Sequence, residues 1–492
     1  MKAKYIASVS AALAMTLASC ESFTEIDQKG MNLLSKCSDL ELLLNGSFQT
    51  NPEDVEILCG DVLSSNEYVP EMLSRTNKTE NQILTAWDEE GHANILQSVT
   101  TDGFYGSCFG KVGRIANPIL ERVDEAEGTQ AEKDKLKSEA LTLRAYYTFL
   151  CAQKYAKVYD PATADTEMSI PWLPVGFDIE AKAEKVTQKE LYTNILADLN
   201  EAIKIDGIPL YGINRERLSK PFPYVAKAIV LLTMRDYDGA LAAAEEAIEL
   251  NGVINDYGEY LMDDVSWMTG EPWTYLSLAP SLSLEEDIFT DVAQEFFHFI
   301  TPFNESMFEP GSYKKDYAYT MYRSSMGMYD PEDPEMDRMY ALADNEMMYG
   351  VPYDLTYDLD GYTNTIGLKT TYAYLVKAEC LIQKGQIDDA MATLDGIRVN
   401  RISPDYYEPL QGAVTDKAEA IDYLKKAAHG EYVYTQWNFI NRKRWTAIDG
   451  FKETFVKELC GNTYTLRPDS PMWVFPFPRE AVLMNPNLTN NF

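Results

Sequence analysis

Apolar residues recur every three or four positions over most of this 492-residue chain. The pattern is clearest in the stretches 131–159 and 187–204, where the apolar residues of each stretch fall on one face of a helix. These faces carry Leu136, Ala140, Leu143, Tyr147 and Leu150 in the first stretch and Leu191, Ile195, Leu199 and Ala202 in the second. The chain is therefore predicted to be mostly α-helical, with its helices packed through these apolar stripes.

The segment 224–251 predicts a helical hairpin, in which two apolar-periodic helices are joined by a tight turn. A second segment with the same layout covers 371–398. In the first hairpin the small residues Ala240 and Ala247 lie seven apart, which suits the close approach of a neighbouring helix. This layout is typical of tetratricopeptide (TPR) repeats, which bury their apolar faces against neighbouring hairpins. The two stretches named above could supply those neighbours.

Between the two hairpins, residues 252–370 follow a different pattern. They are rich in Tyr, Met, Asp, Pro and Gly and contain few helical patterns. Irregular segments of this length are uncommon unless they are functional or disordered, and the many aromatic residues argue against disorder. We predict a loop-rich insert with short strands, and we expect it to form the ligand-facing part of the molecule.

The first twenty residues predict export and lipid attachment. Two lysines near the start precede an apolar run that is too short to span a bilayer, as in a secretory signal peptide. The run ends in Leu-Ala-Ser-Cys, which looks like a bacterial lipobox. We therefore predict a signal peptide over 1–19, a lipid anchor on Cys20 and a tether over 20–36. Because no later stretch is apolar enough to span a bilayer, the lipid would be the only attachment to the membrane.

The composition restricts the classes of partner and of site. The chain has 77 acidic and 43 basic residues, a formal net charge of −34, which disfavours binding to nucleic acid. Six cysteines follow Cys20, and they form no CxxC pair, so zinc ribbons and thioredoxin-type sites are excluded. Cys151 and Cys380 lie in helical patterns and are expected to be small core residues. The sequence leaves open whether any two of the six form a disulfide.

The motifs of the common enzyme classes are missing from the sequence. The three histidines, at 92, 298 and 429, lie in no metal-binding motif, and no GxSxG nucleophile elbow occurs. Pairs of carboxylates for glycoside hydrolysis can always be drawn among so many acids, but sequence spacing cannot show that two of them face each other. We therefore predict a binding protein that is not an enzyme and needs no cofactor.

Five segments, which together extend over nearly the whole mature chain, resemble the SusD/RagB family of outer-membrane lipoproteins from Bacteroidota. The lipobox with Cys20 is the first. Ala156, where the family has glycine, and a segment at 430–445 with a single glutamate indicate a divergent member. The other four segments are SDLELLLNGSF at 38–48, RAYYTFLCAQKYAKVYD at 144–160, YLVKAECLIQKGQIDDAMATLDGIRVNR at 374–401 and WVFPFPREAVLMNPNLTNN at 473–491.

The resemblance implies a mostly α, SusD-like fold in which four TPR-like hairpins form a scaffold and loop-rich segments build a shallow aromatic site. It implies a non-catalytic lipoprotein on the outer membrane, facing the exterior. Such a protein captures oligosaccharides and delivers them to a SusC-type TonB-dependent transporter. The body, 37–492, would comprise an N-terminal part of about 37–220, the hairpin 224–251, the insert 252–370 and a C-terminal part, 371–492.

The resemblance places binding loops in the irregular stretch between the early helices, where Asn66, Tyr68 and Trp87 lie. Trp267 lies in a polar loop after the first hairpin. Because aromatic rings stack on sugar rings and amides bond their hydroxyls, these four residues are the candidate ligand contacts. Asp358 and Asp360 form half of an EF-hand-like loop, so a structural calcium ion near them is an alternative to a solvated acidic loop.

Three alternatives to oligosaccharide capture stay open. A peptide-capturing protein of the same architecture would suit the acidic charge if its peptides were cationic. An extracytoplasmic TPR scaffold would assemble other proteins and bind no nutrient. A glycosidase would release products from a polysaccharide, and it is the least favoured of the three because no catalytic pair can be identified.

Overall fold

The computed structural model consists of a helical scaffold that carries a smaller part built from short strands. The predicted signal peptide, Cys20 and most of the tether lie outside the described residues, and so do Asn66, Tyr68, Trp267, Asp358 and Asp360. The described residues are 34–45, 53–64, 69–178, 181–212, 215, 217–265, 272–276, 284–290, 292–293, 298–300, 307–313, 363–364, 366–433 and 435–492.

Short helices make up most of the described residues before residue 123. Thr79 caps one of them, because its hydroxyl accepts a hydrogen bond from the amide of Gln82 at 3.3 Å. Two π-helical turns, His92–Leu96 and Val112–Ala116, continue directly from α-helices. The α-helices are α1 (Cys37–Leu43), α2 (Glu53–Cys59), α3 (Val69–Ser74), α4 (Glu80–Thr85), α5 (Glu89–Gly91), α6 (Gln97–Val99), α7 (Phe104–Lys111) and α8 (Asn117–Arg122).

Eight further helices form the scaffold and pack in consecutive pairs, which confirms the predicted mostly helical fold. The stretches 131–159 and 187–204 do form one pair, as the spacing of their apolar residues predicts. Thr129 and Glu132 cap the first helix of that pair reciprocally. The pairs are α9 (Gln130–Tyr155) with α10 (Gln188–Ile205), α11 (Phe222–Thr233) with α12 (Tyr237–Leu250), α13 (Thr370–Gln383) with α14 (Ile387–Arg398), and α15 (Lys417–Tyr432) with α16 (Gln436–Trp445). A last short helix is α17 (Arg479–Met484).

The two predicted hairpins have the same turn. Each turn has three residues, 234–236 and 384–386, and its middle residue has left-handed backbone geometry. In the second hairpin this residue is Gly385, with φ of 76°, and in the first it is Arg235, with φ of 65°. Glycine adopts this geometry without a steric penalty, whereas arginine does so at some cost. The helix pairs, and not the turn residue, therefore determine the shape of the turn.

The strands are short and pair two by two in antiparallel fashion. Most of them belong to the insert, as the sequence predicted. The pairs are β1 (Val62–Ser64) with β8 (His298–Ile300), β2 (Met168–Pro171) with β3 (Lys185–Thr187), β4 (Leu261–Val265) with β5 (Pro272–Leu276), β6 (Asp287–Phe289) with β10 (Leu368–Lys369), β7 (Val292–Ala293) with β9 (Thr363–Asn364), and β11 (Phe455–Leu459) with β12 (Asn462–Leu466).

Helix α16 lies at the centre of the core, since all ten of its residues are buried. Tyr146 and Tyr147 of α9 belong to the same core, are 2% and 1% exposed, and are core residues as predicted. Cys151 and Cys380 are buried in the same core, which also confirms their prediction. All six cysteines of the described residues are free thiols, and Cys460 is the exposed one. Nowhere in the described part of the chain is a helix both long and apolar enough to cross a membrane.

Close helix packing makes the first hairpin sensitive to added volume. Ala247 of α12 is 1% exposed and Ala240 is fully buried, so α12 presents small side chains to its neighbours. Replacing Ala247 with leucine should lower the free energy of unfolding by about 1–3 kcal/mol, because the added methylenes have no space. Ala242 of the same helix is exposed, so Ala242→Leu serves as the control. Equal unfolding midpoints in urea for the two variants would contradict the packing argument.

Candidate ligand-binding site

Strand β1 links the N-terminal helices to the insert. It pairs with β8 in the register Val62 to Ile300 and Ser64 to His298. Asn66 and Tyr68 follow β1 directly in the chain, and Trp267 lies in the chain between β4 and β5. The strand pairing therefore makes the segment before Asn66 and Tyr68 part of the same sheet structure as the insert. The ligand contacts of these three residues stay predictions, since they lie outside the described residues.

Trp87 is part of the core. It is 5% exposed, and its indole N–H donates to the carbonyl of Leu58 at 2.7 Å. Its ring centroid lies 4.0 Å from Nζ of Lys457, a buried residue of β11. The backbone φ of Trp87 is 47°, which is unusual for a bulky residue and is maintained by this packing. The structure therefore gives Trp87 a packing role between α2 and β11 instead of a surface for stacking a sugar, and contact with a ligand would require the ring to leave its position.

Three buried residues next to Trp87 could in principle share a metal ion. Ligand atoms of Glu56, Cys59 and Asp61 all lie within 4.8 Å of one another. However, Arg442 donates to the carboxylate of Asp61 at 2.9 Å, and Asn438 donates to that of Glu56 at 3.1 Å. A metal ion would have to displace these donors and would face the arginine charge, so the arrangement fits an ion-paired core better than a metal centre.

A lysine between two aspartates forms a buried acid–base cluster near the N-terminal helices. Lys154 pairs with Asp54 and, at 3.1 Å, with Asp102, which also accepts a hydrogen bond from Tyr155 at 2.5 Å. Burial raises the pKa of Asp54 to about 7, against the attraction of Lys154. The lysine side chain is only 2% exposed, so a substrate cannot reach it. This cluster therefore offers no open pair of carboxylates of the kind that glycoside hydrolysis needs.

The described part of the insert leaves an apolar surface on the β4–β5 hairpin. Met262 and Val265 of β4 are 48% and 57% exposed, although they belong to a strand. The hydroxyl of Thr274 donates to the carboxylate of Asp263 across the two strands at 2.6 Å. The predicted ligand contact Trp267 lies in the chain between these two strands. An exposed apolar strand beside polar groups suits a sugar face.

A cavity beneath the insert is too small for a sugar. It lies between residues 307–313, the end of α14 and the helix α15, and it measures about 30 Å³. A space of this size holds one or two water molecules, whereas ligand sites measure several hundred Å³. Its charged residues are already paired, since Arg398 donates to Glu309 at 2.8 and 3.0 Å. This cavity is therefore not a candidate ligand site.

Asp287, at the start of β6, gives the insert a pH-dependent stability. Burial raises the pKa of its carboxyl from an ordinary 3.8 to about 6, although Lys369 opposes the shift. The folded protein therefore binds this proton more tightly than the unfolded chain does, so stability falls as the pH rises from about 4 to 6. Replacing Asp287 with asparagine should raise the free energy of unfolding at pH 7.5 by about 2–3 kcal/mol and change it little near pH 4.

Urea unfolding at several pH values tests this expectation. Asp405 is exposed, so Asp405→Asn serves as the control and should change stability little at any pH. The free energies of unfolding of Asp287→Asn and of the unsubstituted protein should differ by an amount that changes with pH. If that difference stays constant from pH 4 to 7.5, the aspartate does not titrate as described.

Comparisons with known proteins bear on both the fold and the N-terminal part. Residues 40–210 match the family model SusD-like_3, described as starch-binding and associating with the outer membrane. No curated protein sequence matches the chain. Several solved structures have the same fold over almost the whole chain at low sequence identity. One is a SusD-like carbohydrate binding protein from Bacteroides vulgatus, with 15% identity, a TM-score of 0.58, and 93% of this chain and 98% of that chain covered.

Two further structures extend the comparison. A putative sugar binding protein from Bacteroides vulgatus has 16% identity and a TM-score of 0.61, with 94% of this chain and 99% of that chain covered. The surface glycan-binding protein A from Bacteroides uniformis has 13% identity and a TM-score of 0.60, with coverages of 92% and 99%. At these identities the likeness establishes the fold, and the predicted SusD-like architecture is confirmed.

Proposed function

We propose that this divergent SusD-like protein is a non-catalytic cell-surface lipoprotein that captures oligosaccharides. In this proposal, a lipid on Cys20 attaches it to the outer membrane, and it delivers its ligand to a SusC-type TonB-dependent transporter. The observation that carries the proposal is the match of residues 40–210 to a starch-binding, outer-membrane-associated family model. The full-length likeness to structures named as sugar-binding or glycan-binding supports it.

The arrangement of the molecule supports binding over catalysis. The buried carboxylates near the N-terminal helices are paired with Lys154, Arg442 or Asn438. By contrast, Met262 and Val265 of β4 in the insert are about half exposed. Shallow surfaces of this kind suit a protein that holds a large polymer briefly and passes it on. We therefore place ligand capture on the insert and on the loop that follows β1.

Calorimetry with a panel of oligosaccharides, on residues 22–492, tests the proposal. At least one oligosaccharide should bind, and Trp267→Ala should weaken that binding tenfold or more, since a stacked ring typically contributes about 1–3 kcal/mol. Trp172 is half-buried outside the insert, so Trp172→Ala should leave the affinity unchanged. If no oligosaccharide binds and cationic peptides do, the ligand class is wrong.

Charge gives a specific reason to keep the peptide alternative. Residues 252–370 contain 23 acidic and 5 basic residues, so more than half of the net charge of the chain lies in the insert. An acidic surface attracts cationic peptides, and that attraction weakens with salt. Binding of Lys- or Arg-rich peptides that fell steeply between 50 and 300 mM salt would favour this function, whereas oligosaccharide binding should depend little on salt.

The transporter partner needs a separate test. Cross-linking of the full chain in intact cells, followed by identification of the linked proteins, should recover a TonB-dependent barrel. Recovery of soluble assemblies without any barrel would favour the scaffold alternative. Cys20→Ser should remove the protein from the outer-membrane fraction, because a lipid on that sulfur is the proposed attachment.

A further inference from the structure

The loop that follows α14 contacts the insert through its backbone at two separate places. The amide of Tyr257, near the start of the insert, donates to the carbonyl of Asn400 at 3.0 Å. The amide of Tyr313 donates to the carbonyl of Arg401 at 2.9 Å, and the amide of Ser403 donates to that of Gly311 at 2.9 Å. Two distant segments of the insert are thus bonded to one short loop of the scaffold.

The side chain of Arg401 adds three further contacts in the same region. Its Nη2 donates to Glu286 of the insert at 2.7 Å, and its Nη1 donates to the carbonyl of Asn255 at 2.6 Å. Its Nε donates to Glu431 of α15 at 2.6 Å. The guanidinium also lies 3.5 Å from the ring centroid of Tyr257. One buried side chain therefore joins the scaffold helix α15 to two segments of the insert.

The end of the insert completes the cluster. Nζ of Lys369 donates to the hydroxyl of Tyr257 at 2.8 Å, and that hydroxyl donates to Glu286 at 2.9 Å. The five residues Tyr257, Glu286, Lys369, Arg401 and Glu431 form what we call the insert anchor. Two positive and two negative side chains balance in it, and three of its residues come from three separate segments of the insert.

Such a cluster contributes more to the orientation of the groups that it joins than to the stability of the fold. A buried, balanced set of charges is often no more stabilising than apolar residues of the same volume. A planar guanidinium, however, fixes the direction of every group that it bonds, because its donors form a rigid fork. Arg401 therefore determines how Glu286, Tyr257 and Glu431 lie relative to one another, and with them the orientation of the insert on the helices.

We propose that Arg401 is a positioning residue for ligand capture, which holds the insert in its binding orientation through Glu286, Tyr257 and Glu431. The part of this inference that concerns the ligand rests on the function proposed above. The part that concerns the insert does not, because how firmly the insert is held on the helices can be measured by hydrogen exchange without any ligand. The two parts can therefore fail separately.

Hydrogen exchange of the full chain in detergent tests the positioning role. In Arg401→Met, amides of 255–260, 284–290 and 366–369 should exchange at least tenfold faster, while amides of α11 and α12 keep their rates. Lys377 of α13 forms a partly exposed pair with Glu245, so Lys377→Met is the control and should leave all these rates unchanged. The proposal would be overturned if amide exchange became equally faster in the insert and in the scaffold helices, or if it did not become faster in the insert.

A charge-balanced variant separates positioning from lost stability. Arg401→Gln combined with Glu431→Gln leaves no uncompensated charge at this contact, so the melting temperature should return towards that of the unsubstituted protein. Exchange in the insert should nevertheless stay fast, and affinity for the oligosaccharide that binds the unsubstituted protein should stay at least tenfold weaker. Recovery of slow exchange together with stability would show that Arg401 is merely structural. If the unsubstituted protein binds no oligosaccharide, the proposed function fails and the exchange result still decides the positioning role.

Discussion

Replacing Arg444 with methionine is expected to lower the free energy of unfolding by about 3–5 kcal/mol, because it leaves the charge of Glu379 buried and unpaired. Nη1 and Nη2 of Arg444 donate to the two carboxylate oxygens of Glu379 at 2.5 and 2.6 Å. Both side chains are 3% exposed, so water cannot replace the lost partner. Trp445 also donates to Glu379, at 3.0 Å, which fixes the carboxylate in place. Urea unfolding of residues 22–492, followed by circular dichroism, measures the effect.

Two further variants isolate the cause. Arg467 forms an exposed pair with Glu89 at 3.1 Å, so Arg467→Met should cost less than about 1 kcal/mol. The double variant Arg444→Met with Glu379→Gln removes the stranded charge, so it should recover part of the loss. If the double variant had a clearly lower free energy of unfolding than Arg444→Met, the loss in Arg444→Met would not come from an unpaired carboxylate.

Replacing Trp437 with alanine is expected to cost about 3–5 kcal/mol, the usual loss for a large aromatic residue removed from a core. Trp437 is 1% exposed and lies at the start of the central helix α16. Its ring centroid is 6.1 Å from those of Tyr146 and Tyr372, so its removal leaves a cavity between three helices. Its indole N–H donates to the carbonyl of Gly367 at 3.0 Å, which connects the core to the end of the insert.

The controls for Trp437 separate volume from hydrogen bonding. Trp437→Phe keeps most of the buried ring and loses the bond to Gly367, so it should cost about 1–3 kcal/mol. Trp172 is only half-buried, so Trp172→Ala should cost clearly less than Trp437→Ala. Similar losses for the two alanine variants would mean that burial in this core is not what makes Trp437 important.

The helical scaffold could be predicted because its signals are local. The apolar residues of 131–159 and 187–204 recur with the period of a helix, and the helices Gln130–Tyr155 and Gln188–Ile205 form there. The spacing of Ala240 and Ala247 likewise depends only on neighbours along one helix. Short-range periodicity is therefore sufficient to locate these elements, and the ends of the helices follow within a few residues.

The role of the three adjacent cations in α16 could not be predicted in this way. A run of Arg442, Lys443 and Arg444 ordinarily indicates an exposed face. In the structure all three are buried, because consecutive residues of a helix point in different directions and α16 is surrounded on every side. Each therefore finds a different partner, and these partners are far away in the sequence.

Lys443 illustrates how unusual these partners are. Its Nζ donates to the carbonyls of Gln153 and Ala156 at 2.6 and 2.7 Å, at the C-terminal end of α9. The negative end of the helix dipole favours a cation there, although burial lowers the pKa of Lys443 well below its ordinary value. No pattern in the residues around 443 could indicate that a helix some 290 positions away would end beside it.

In the candidate site, too, the tertiary structure decided what the local sequence could not predict. Trp87 was predicted as a ligand contact because it lies in an irregular stretch where the family resemblance places binding loops, and the structure places it in the core against Lys457. Arg401 had no predicted role beyond its place in a family-like segment, and the structure makes it the centre of the insert anchor. A side chain's exposure depends on what packs against it, and sequence near the residue does not contain that information.

By itself, then, the sequence determined the helical class, the two hairpins and the resemblance to SusD-like proteins. All of these depend on periodicity, composition and short motifs, which are properties of neighbouring residues. Only the tertiary structure decided which charges are buried, which aromatic residues belong to the core and how the insert is attached to the scaffold. These depend on contacts between residues far apart in the chain, where the cost of burying a charge is met by a partner that the fold brings into place.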